Sequence, residues 1–559
     1  MIDWDLARDP NFREVPPKMG TMGLTLAAAA FLLAFLTASD YGIASDVANY
    51  FASSMRQLDW GREFVTDLFL GRPTDALERE TVFEAWRWNP VRVPHPPLSR
   101  ELSGLTWLLG HHWLDALTAY RLAVMLAYAA LAGWVTVFTH WATRARIAGL
   151  TAGAAVLAYP TLFAHGHLAH TDLLLAGFWF SSAASLAVFE RTRRLGWLIA
   201  AGLLLGAAAA TKFSGLLLAP VVVTWLFVRR PREALPALVI VALSAAVVFV
   251  LVNPVLWVAP EVGMADYLSA GLDRAGSRLT RLRTEYFGTI HEFRPPFHYP
   301  WVWTLVVVPP TFLAAIAVGL TTIRRHWLPV FCLINMGVVY AALLLPRAPL
   351  HDGMRLLLPT LAFQCVLVGV GAQRGIEFLA DRMPRVGRAW IDALVVAAIV
   401  APAAAATVRS HPHQLSYANF LVGGAAGLAE KGLEVTNLKE AFSPDVVADL
   451  ERVIPPGAVI DAGFFTEEAC FYEQRGGFEG RVIETWLPER RGGTTLTCPE
   501  SGSPPEARRR PAADPDFVLV LNRRAVWRPV DRALWEHGGT PAYELTHDGV
   551  PLLRAYRTR

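Results

Sequence analysis

The sequence predicts a polytopic α-helical membrane protein with about 11 transmembrane helices and a small C-terminal α/β soluble domain. Of the 559 residues, 53% are hydrophobic and only 18% are charged, whereas soluble domains carry about a quarter charged residues. Four runs contain no acidic or basic side chain, at 24–36, 122–138, 235–252 and 394–406. With their flanks, several of these runs reach the roughly 20 residues that cross a bilayer core.

The remaining composition excludes other classes. A net charge of +3 over 559 residues gives no reason to propose a nucleic-acid partner. About twenty mostly polar residues precede the first apolar run, which is not typical of a cleaved signal peptide. We therefore expect the first apolar run to remain as a membrane helix.

The apolar segments predict eleven helices, and one pair of them is separated only by Thr211-Lys212. A lysine at mid-membrane is costly without a partner, so a tight hairpin that brings Lys212 to one surface is expected. The approximate bounds are 20–38, 117–140, 147–163, 171–189, 196–210, 213–228, 235–257, 302–322, 327–346, 355–372 and 388–408.

The distribution of arginine predicts the orientation. Alternate short loops are rich in arginine, whereas the loops between them offer only Lys212 and Arg347. Because positive residues favour the cytoplasmic side, these loops and the N-terminus are expected in the cytoplasm. Residues 1–408 then form a transmembrane domain, with large extracytoplasmic loops at 39–116, including interfacial helices, and at 258–301.

Residues 409–559 form a tail long enough to be an extracytoplasmic soluble α/β domain. Strand-like runs occur at 458–460 and 517–521, and we expect a hairpin that joins 542–545 to 552–556. In an oxidising compartment Cys470 and Cys498 form either a disulfide or two free thiols. A thiol-alkylation assay with and without reductant distinguishes the two.

Two candidate site residues lie in the first large loop. Asp46 follows the first helix and precedes an amphipathic stretch that includes Tyr50, which suggests a short helix along the interface. Asp46 is equally well explained as a helix N-cap. His95 stands among Pro94, Pro96 and Pro97 on a rigid, extended segment, which suits either ligand contact or a structural turn.

Three histidines and an aspartate lie close together in a later loop, at His165, His167, His170 and Asp172. Imidazole and carboxylate groups suit several divalent metals, but this spacing matches no common zinc motif. We therefore do not favour a metal site. Asp172 also opens a helix, where the helix dipole stabilises a negative charge.

Two cations complete the candidate set. Arg355 stands at the start of the tenth helix, where the dipole disfavours a cation, which predicts an anionic partner, either Asp352 or a ligand headgroup. Lys212 either snorkels to the interface or joins the site. The topology brings five residues to one membrane face and predicts an anionic substrate at the bilayer surface: Asp46, His95, Asp172, Lys212 and Arg355.

Short segments around these residues resemble motifs of bacterial GT-C glycosyltransferases of the family 39 type, which are related to protein O-mannosyltransferases and aminoarabinose lipid A transferases. The resemblance covers about residues 20–430 in the family's order. The first loop departs from the family's Asp-Glu-Ala-x-Tyr pattern at Val47, and His170 stands where arginine is usual. The matching segments are 45–60, His95-Pro96-Pro97-Leu98, Ala169-His170-Thr171-Asp172, Ala210-Thr211-Lys212, Met354-Arg355-Leu356-Leu357-Leu358-Pro359 and the opening of the tail at 411–424.

The resemblance implies a hexosyltransferase, mannosyltransferase-like by default, in the bacterial inner membrane. It would move a sugar, with inversion, from a polyprenyl-phosphate donor to a hydroxyl of a glycan, lipid or protein acceptor. Asp46 would be the general base, and Asp172 would orient the acceptor or the sugar, with a second claim to be the base. His95, Lys212 and Arg355 would hold the donor phosphate, and Tyr50 and His170 would contact the acceptor or sugar.

The resemblance implies no cofactor, and besides the donor and acceptor it implies membrane lipids as partners. The main alternative is a polytopic transporter or lipid flippase without glycosyl transfer. A transporter predicts charged residues along a route through the bilayer centre, whereas the candidate residues here are expected at one face. A non-catalytic scaffold that binds a partner through the tail is a further alternative.

Overall fold

A computed structural model of the protein describes residues 17–72, 74–87, 95–272, 283–487, 494–498, 506–508 and 514–559. The helices are α1 (Pro17–Leu36), α2 (Val47–Leu70), α3 (Arg79–Trp86), α4 (Leu98–Gly110), α5 (Ala116–Thr143), α6 (Arg146–Ala158), α7 (Pro160–His165), α8 (Thr171–Thr192), α9 (Leu195–Thr211), α10 (Leu218–Arg229), α11 (Ala234–Leu251), α12 (Pro254–Val258), α13 (Pro260–Leu272), α14 (Tyr299–Val307), α15 (Pro310–Leu320), α16 (Trp327–Leu344), α17 (Leu358–Arg382), α18 (Arg388–Arg409), α19 (Gly424–Glu430), α20 (Pro444–Val453), α21 (Thr466–Glu473) and α22 (Pro529–His537).

The strands are β1 (Thr284–Tyr286), β2 (Thr289–His291), β3 (Val459–Asp461), β4 (Val482–Leu487), β5 (Thr494–Thr497), β6 (Glu506–Arg508), β7 (Phe517–Leu521), β8 (Tyr543–His547) and β9 (Val550–Arg557). All but the β1–β2 hairpin belong to the C-terminal part of the chain. The helical membrane part and the small α/β domain predicted from the sequence are thereby confirmed.

Seven helices in the described chain are long and apolar enough to cross a membrane: α1, α5, α8, α11, α16, α17 and α18. The pair α14 and α15 would make an eighth span, although it bends by 112° at its break, where Pro309 and Pro310 interrupt the helix. The shorter apolar helices α6 and α9, and the stretch that ends with α10, match the three remaining predicted helices. The total of eleven spans stays a prediction.

The chain breaks at Lys212, as the sequence predicted. Helix α9 ends at Thr211, and Lys212 adopts an extended backbone with φ −155° and ψ 142°. A 3-10 turn over Phe213–Leu217 then leads into α10. Lys212 does not snorkel to the surface, because its side chain is buried.

The first large loop contains a longer helix than the short one predicted. Helix α2 runs for 24 residues and ends at Gly71, which has the left-handed φ of 60° that favours glycine. Buried residues recur at helical spacing along its first half and pack against the rest of the protein, which stabilises the longer helix. These residues are Val47, Tyr50, Phe51, Ser54 and Gln57.

The C-terminal part forms a seven-stranded sheet with the order β6-β5-β4-β3-β7-β9-β8. Strand β3 is parallel to both β4 and β7, and the outer pairs are antiparallel. The predicted C-terminal hairpin corresponds to β8 and β9. Cys470 in α21 and Cys498 after β5 form a disulfide. Of the two alternatives that the sequence left open, the structure therefore contains the disulfide.

The C-terminal part packs directly against the membrane helices. The Ser45 amide donates to the Leu438 carbonyl at 2.8 Å, and the Phe471 ring lies 5.5 Å from the Phe51 ring of α2. The Asn419 side chain donates to the carbonyls of Leu305 and Val308 at 2.7 and 3.0 Å. These contacts fix the domain over the start of α2.

Candidate active site

Asp172 lies at the centre of a cluster of charged side chains at one end of the helices. It is the second residue of α8, and its side chain is only 2% exposed. One carboxylate oxygen accepts from Lys212 Nζ at 2.6 Å, and the other accepts from Arg355 Nε at 3.0 Å and lies 2.6 Å from His170 Nδ1. A buried carboxylate needs such partners, because an unpaired charge is costly away from water.

Arg355 connects three acidic residues. It lies in the 3-10 turn over Arg355–Leu357 that leads into α17. Besides its bond to Asp172, its NH1 donates to Asp352 at 2.8 Å and its NH2 lies 3.7 Å from Asp46. The anionic partner predicted for this cation therefore includes Asp352.

His170 bridges Asp172 and Arg355. Its Nε2 lies 2.7 Å from Arg355 NH2, and its Nδ1 lies 2.6 Å from the Asp172 carboxylate. Both ring nitrogens therefore contact charged members of the cluster.

Asp46 differs from Asp172 in its access to solvent. It occupies the N-cap position of α2, but within the described chain its side chain makes no capping hydrogen bond. Its carboxylate instead lies 3.6 Å from His170 Nε2, and 35% of the side chain is exposed. Asp46 also has a left-handed φ of 67°, a conformation that costs free energy in a residue other than glycine and is frequent at functional sites.

His95 and Tyr50 form one wall of the cluster. The His95 carbonyl accepts from Arg100 NH1 at 2.7 Å, which fixes the backbone of this segment. The Tyr50 ring lies 6.3 Å from the His95 ring and 5.7 Å from the His170 ring. All three rings are buried. Together with the contacts of Asp46, Asp172, Lys212 and Arg355 described above, these distances show that the structure brings together every residue of the predicted site.

A cavity of about 270 Å³ opens beside the cluster. His95, Asp172, Lys212 and Arg355 line its polar end. Its other walls are mainly apolar and include Leu175, Trp179, Phe213, Leu217, Val339, Ala342 and Leu343, while Ser214 and Arg347 also line the cavity. Such a cavity suits a molecule with an anionic head and an apolar chain.

The histidines of the 165–172 segment do not converge on one point. His167 Nδ1 lies 2.7 Å from the Phe163 carbonyl, and its Nε2 lies 2.7 Å from Thr37 Oγ1, whereas His170 faces Asp172 and Arg355. Within the described part of the chain, three candidate metal ligands come together only at Cys470, Glu473 and Cys498, where the cysteines form the disulfide. The absence of a catalytic metal stays a prediction.

The sequence did not identify Arg523 as part of this region. Its NH2 donates to Asp352 at 2.6 Å, and its Nε donates to Glu434 at 3.4 Å. Arg523 follows β7, a strand that runs parallel to β3, and ligands of α/β sheets bind outside the carboxyl ends of such strands. The position of Arg523 just after the strand-like run at 517–521 was the one sequence feature that could have indicated its place near the site.

Two buried carboxyl groups beside this cluster, Asp352 and Glu434, have shifted pKa values. Burial by itself raises the pKa of Asp352, but His351, Arg523 and Arg355 together hold this pKa well below its usual range. Burial raises the pKa of Glu434 to about 7, against the opposing effect of Arg523. Asp352 therefore remains an anion between its cations.

The arginine-rich end of the helices lies far from this cluster. At the other end of α8, Glu190 pairs with Arg229 at 2.8 Å. A helix rises 1.5 Å per residue, so Asp172 and Glu190 are about 27 Å apart, close to the thickness of a bilayer core. The two kinds of charge occupy opposite ends, as the loop pattern predicted, while the assignment of either end to the cytoplasm stays a prediction.

Comparison with known proteins places the fold. No protein-family model and no curated protein matches the sequence. The structure is similar to the crystal structure of ArnT from Cupriavidus metallidurans bound to undecaprenyl phosphate, with a TM-score of 0.50, 16% identity, and coverage of 95% of this chain and 97% of that chain. The apo structure of the same ArnT gives a TM-score of 0.46 at 15% identity, with the same coverage. The chain is therefore a multi-pass membrane protein with an ArnT-like GT-C fold, the fold that its sequence motifs predicted.

Proposed function

We propose that the protein is a glycosyltransferase that moves a sugar from a polyprenyl-phosphate donor to an acceptor hydroxyl. The observation that carries this proposal is the cavity whose polar end holds Lys212 and Arg355 and whose other walls are mainly apolar. The solvent-accessible carboxylate of Asp46 lies beside that polar end. The ArnT of similar fold was crystallised with undecaprenyl phosphate, a ligand of the same chemical kind.

The donor would lie with its phosphate at the charged end and its isoprenoid chain along the apolar walls. Lys212 and Arg355 supply charge-assisted hydrogen bonds to phosphate oxygens, and His95 lines the same end of the cavity. Burial in a region with little water strengthens these interactions. An enzyme embedded in lipid receives such a donor directly from the bilayer.

The reaction requires one proton acceptor and stabilisation of one leaving group. The acceptor oxygen attacks the anomeric carbon while Asp46 removes the hydroxyl proton as general base. The bond between the anomeric carbon and the phosphate oxygen breaks, and the phosphate monoester leaves with the bonding electrons. Lys212 and Arg355 stabilise the negative charge that this phosphate gains, and attack opposite the leaving group inverts the anomeric configuration.

Asp172 is the weaker candidate for the base. Both of its oxygens already accept hydrogen bonds, from Lys212, Arg355 and His170, whereas Asp46 is partly open to solvent. Asp172 is better suited to orient the two cations, and Tyr50 and His170 to contact the sugar or acceptor. The sugar is a hexose by default, and the acceptor is a hydroxyl of a protein, lipid or glycan.

The site would face the extracytoplasmic side of the bacterial inner membrane, because the arginine-rich loops mark the opposite side as cytoplasmic. The test is transfer of radiolabelled sugar from polyprenyl-phosphate mannose and polyprenyl-phosphate glucose by purified protein in lipid vesicles. We expect a labelled product other than the donor, absent when Asp46 is replaced by asparagine. Movement of the intact donor across the vesicle membrane with no new glycosidic bond would instead support the transporter alternative.

A further inference from the structure

A row of alternating charges runs from the candidate active site into the C-terminal domain. It begins with Lys212 and Asp172, continues through Arg355 and Asp352, and reaches Arg523 of the domain. We propose that Arg523 is a positioning residue that holds Arg355 in its phosphate-binding orientation by acting through Asp352. This inference rests on the proposed transferase function.

Asp352 divides its two oxygens between the membrane part and the domain. One oxygen accepts from Arg355 NH1 at 2.8 Å and lies 2.7 Å from His351 Nδ1. The other accepts from Arg523 NH2 at 2.6 Å. The carboxylate is thus held from two sides. Removal of Arg523 leaves one of its oxygens without that donor in a buried environment, which favours rotation of the Asp352 carboxylate toward other donors.

Arg523 is itself firmly anchored in the domain. The neighbouring Asn522 side chain donates to the Pro551 carbonyl at 2.7 Å, and the Asn522 amide donates to the Leu552 carbonyl of β9 at 2.8 Å. Arg523 also contacts Glu434 on a second segment of the domain. The Arg523 guanidinium therefore has little conformational freedom. Because it is fixed relative to the sheet, it also fixes the position of the Asp352 carboxylate.

The consequence for Arg355 follows from its competing partners. When Asp352 is fixed, it draws one end of the guanidinium away from Asp46, which lies at 3.7 Å. If Asp352 moves, the attraction of Asp46 pulls Arg355 toward the exposed carboxylate. Arg355 would then contribute less to phosphate binding, although Arg523 is not among the residues that line the cavity.

The experiment measures binding of undecaprenyl phosphate to the purified full-length protein in nanodiscs. We expect R523Q to weaken binding by about ten-fold or more, as expected for the loss of one charged hydrogen-bonded interaction. R523K keeps the charge but cannot form two bonds in a fixed geometry, so we expect roughly three-fold weaker binding and a near-normal melting temperature. If R523Q does not fold, the binding measured for R523K tests the proposal instead.

The matched control is R528Q. Arg528 is a largely buried arginine of the same domain that bonds Asp461 at 2.9 Å and Asp531 at 2.7 Å, away from Asp352. We expect it to lower the melting temperature while binding of undecaprenyl phosphate stays within about two-fold of wild type. Equal loss of binding in R523Q and R528Q would show a general effect of domain stability and overturn the proposal.

A second measurement separates this proposal from the proposed function. In a structure of R523K or R523Q, we expect the Arg355 guanidinium to be displaced from its 3.0 Å contact with Asp172. If wild-type protein neither binds undecaprenyl phosphate nor transfers sugar, the proposed function is wrong, and this displacement alone decides the positioning role. An unmoved Arg355 in the variant overturns it.

Discussion

At the scale of single residues, the site contains two aspartates that share neighbours but differ in environment. Asp172 is enclosed by Lys212, Arg355 and His170, and Asp46 approaches the same arginine from the solvent side. A carboxylate whose oxygens are all engaged is poorly suited to accept a substrate proton, whereas an accessible one is free to do so. The difference supports the proposed roles, with Asp46 removing the proton and Asp172 organising the cations.

Replacement of Asp46 by asparagine should abolish most transfer while the donor still binds. General-base catalysis contributes about 10²- to 10⁴-fold in rate, and asparagine has similar size without a basic oxygen. The measurements are the initial rate of labelled-sugar transfer and the affinity for undecaprenyl phosphate. D40N is the matched control, since Asp40 lies in the same loop and pairs with His411; a D46N variant as active as D40N would contradict the assignment.

Replacement of Lys212 by methionine should destabilise the protein by roughly 2–4 kcal/mol, because Asp172 loses a buried cationic partner. The double variant D172N/K212M should recover part of this loss, since the buried charge and its partner are removed together. Thermal unfolding in detergent measures both variants. If the two substitutions destabilise additively, the 2.6 Å contact is not energetically coupled.

At the scale of structural elements, close approach of helices depends on small residues. Gly371 of α17 faces α15 so closely that a Cβ at this position would lie 1.9 Å from the Ala315 carbonyl oxygen. Small residues allow such contacts between membrane helices, where van der Waals packing is a main source of stability. Because the 3-10 turn that contains Arg355 leads directly into α17, the packing of α17 is also expected to affect the site.

G371V should therefore prevent normal packing of α15 on α17 and cost about 3 kcal/mol or more through steric overlap. The matched control is G337V on α16, where a Cβ meets no atom within 4 Å. Both substitutions carry a similar helix-propensity effect, so the difference in melting temperature reports the packing term. Similar melting temperatures for the two variants would contradict the close contact.

At the scale of the whole molecule, the C-terminal domain is part of the site region. The segment after α18 caps the break between α14 and α15 through Asn419, and Arg523 and Glu434 extend the charged cluster into the sheet. A tail that hung freely from the membrane would contribute no such groups. The site region is therefore expected to depend on the particular groups that the C-terminal domain contributes to it, Arg523 above all.

The stability of the whole protein should depend on pH through Glu434. Burial raises its pKa from 4.5 to about 7, so folding favours the protonated form, and this stability is complete below pH 4.5 and lost as pH rises through 7. A shift of this size corresponds to at most about 3 kcal/mol. E434Q should lack this loss between pH 4.5 and 7 in thermal unfolding, whereas E430Q, at an exposed position, should retain it.

Sequence periodicity and composition were sufficient for the membrane part, because a bilayer requires long apolar helices whatever their partners. The helix break at Lys212 and the strands at 458–460 and 517–521 were also predictable, since they follow from local chemistry. The full length of α2 was not, because tertiary packing of its buried face stabilises the additional turns. The bend between α14 and α15 has a local cause in two prolines but an angle that only the packed structure defines.

The candidate site divides in the same way. The sequence by itself predicted that Asp46, His95, Asp172, Lys212 and Arg355 lie together at one face, because ionisable residues are costly within membrane helices and are rare there. Only the tertiary structure decided which aspartate is enclosed, that His170 bridges Asp172 and Arg355, and that Arg523 joins the cluster from 168 positions beyond Arg355. The physical reason is that ion pairs form between side chains that are close in space, and their distance along the chain does not predict them.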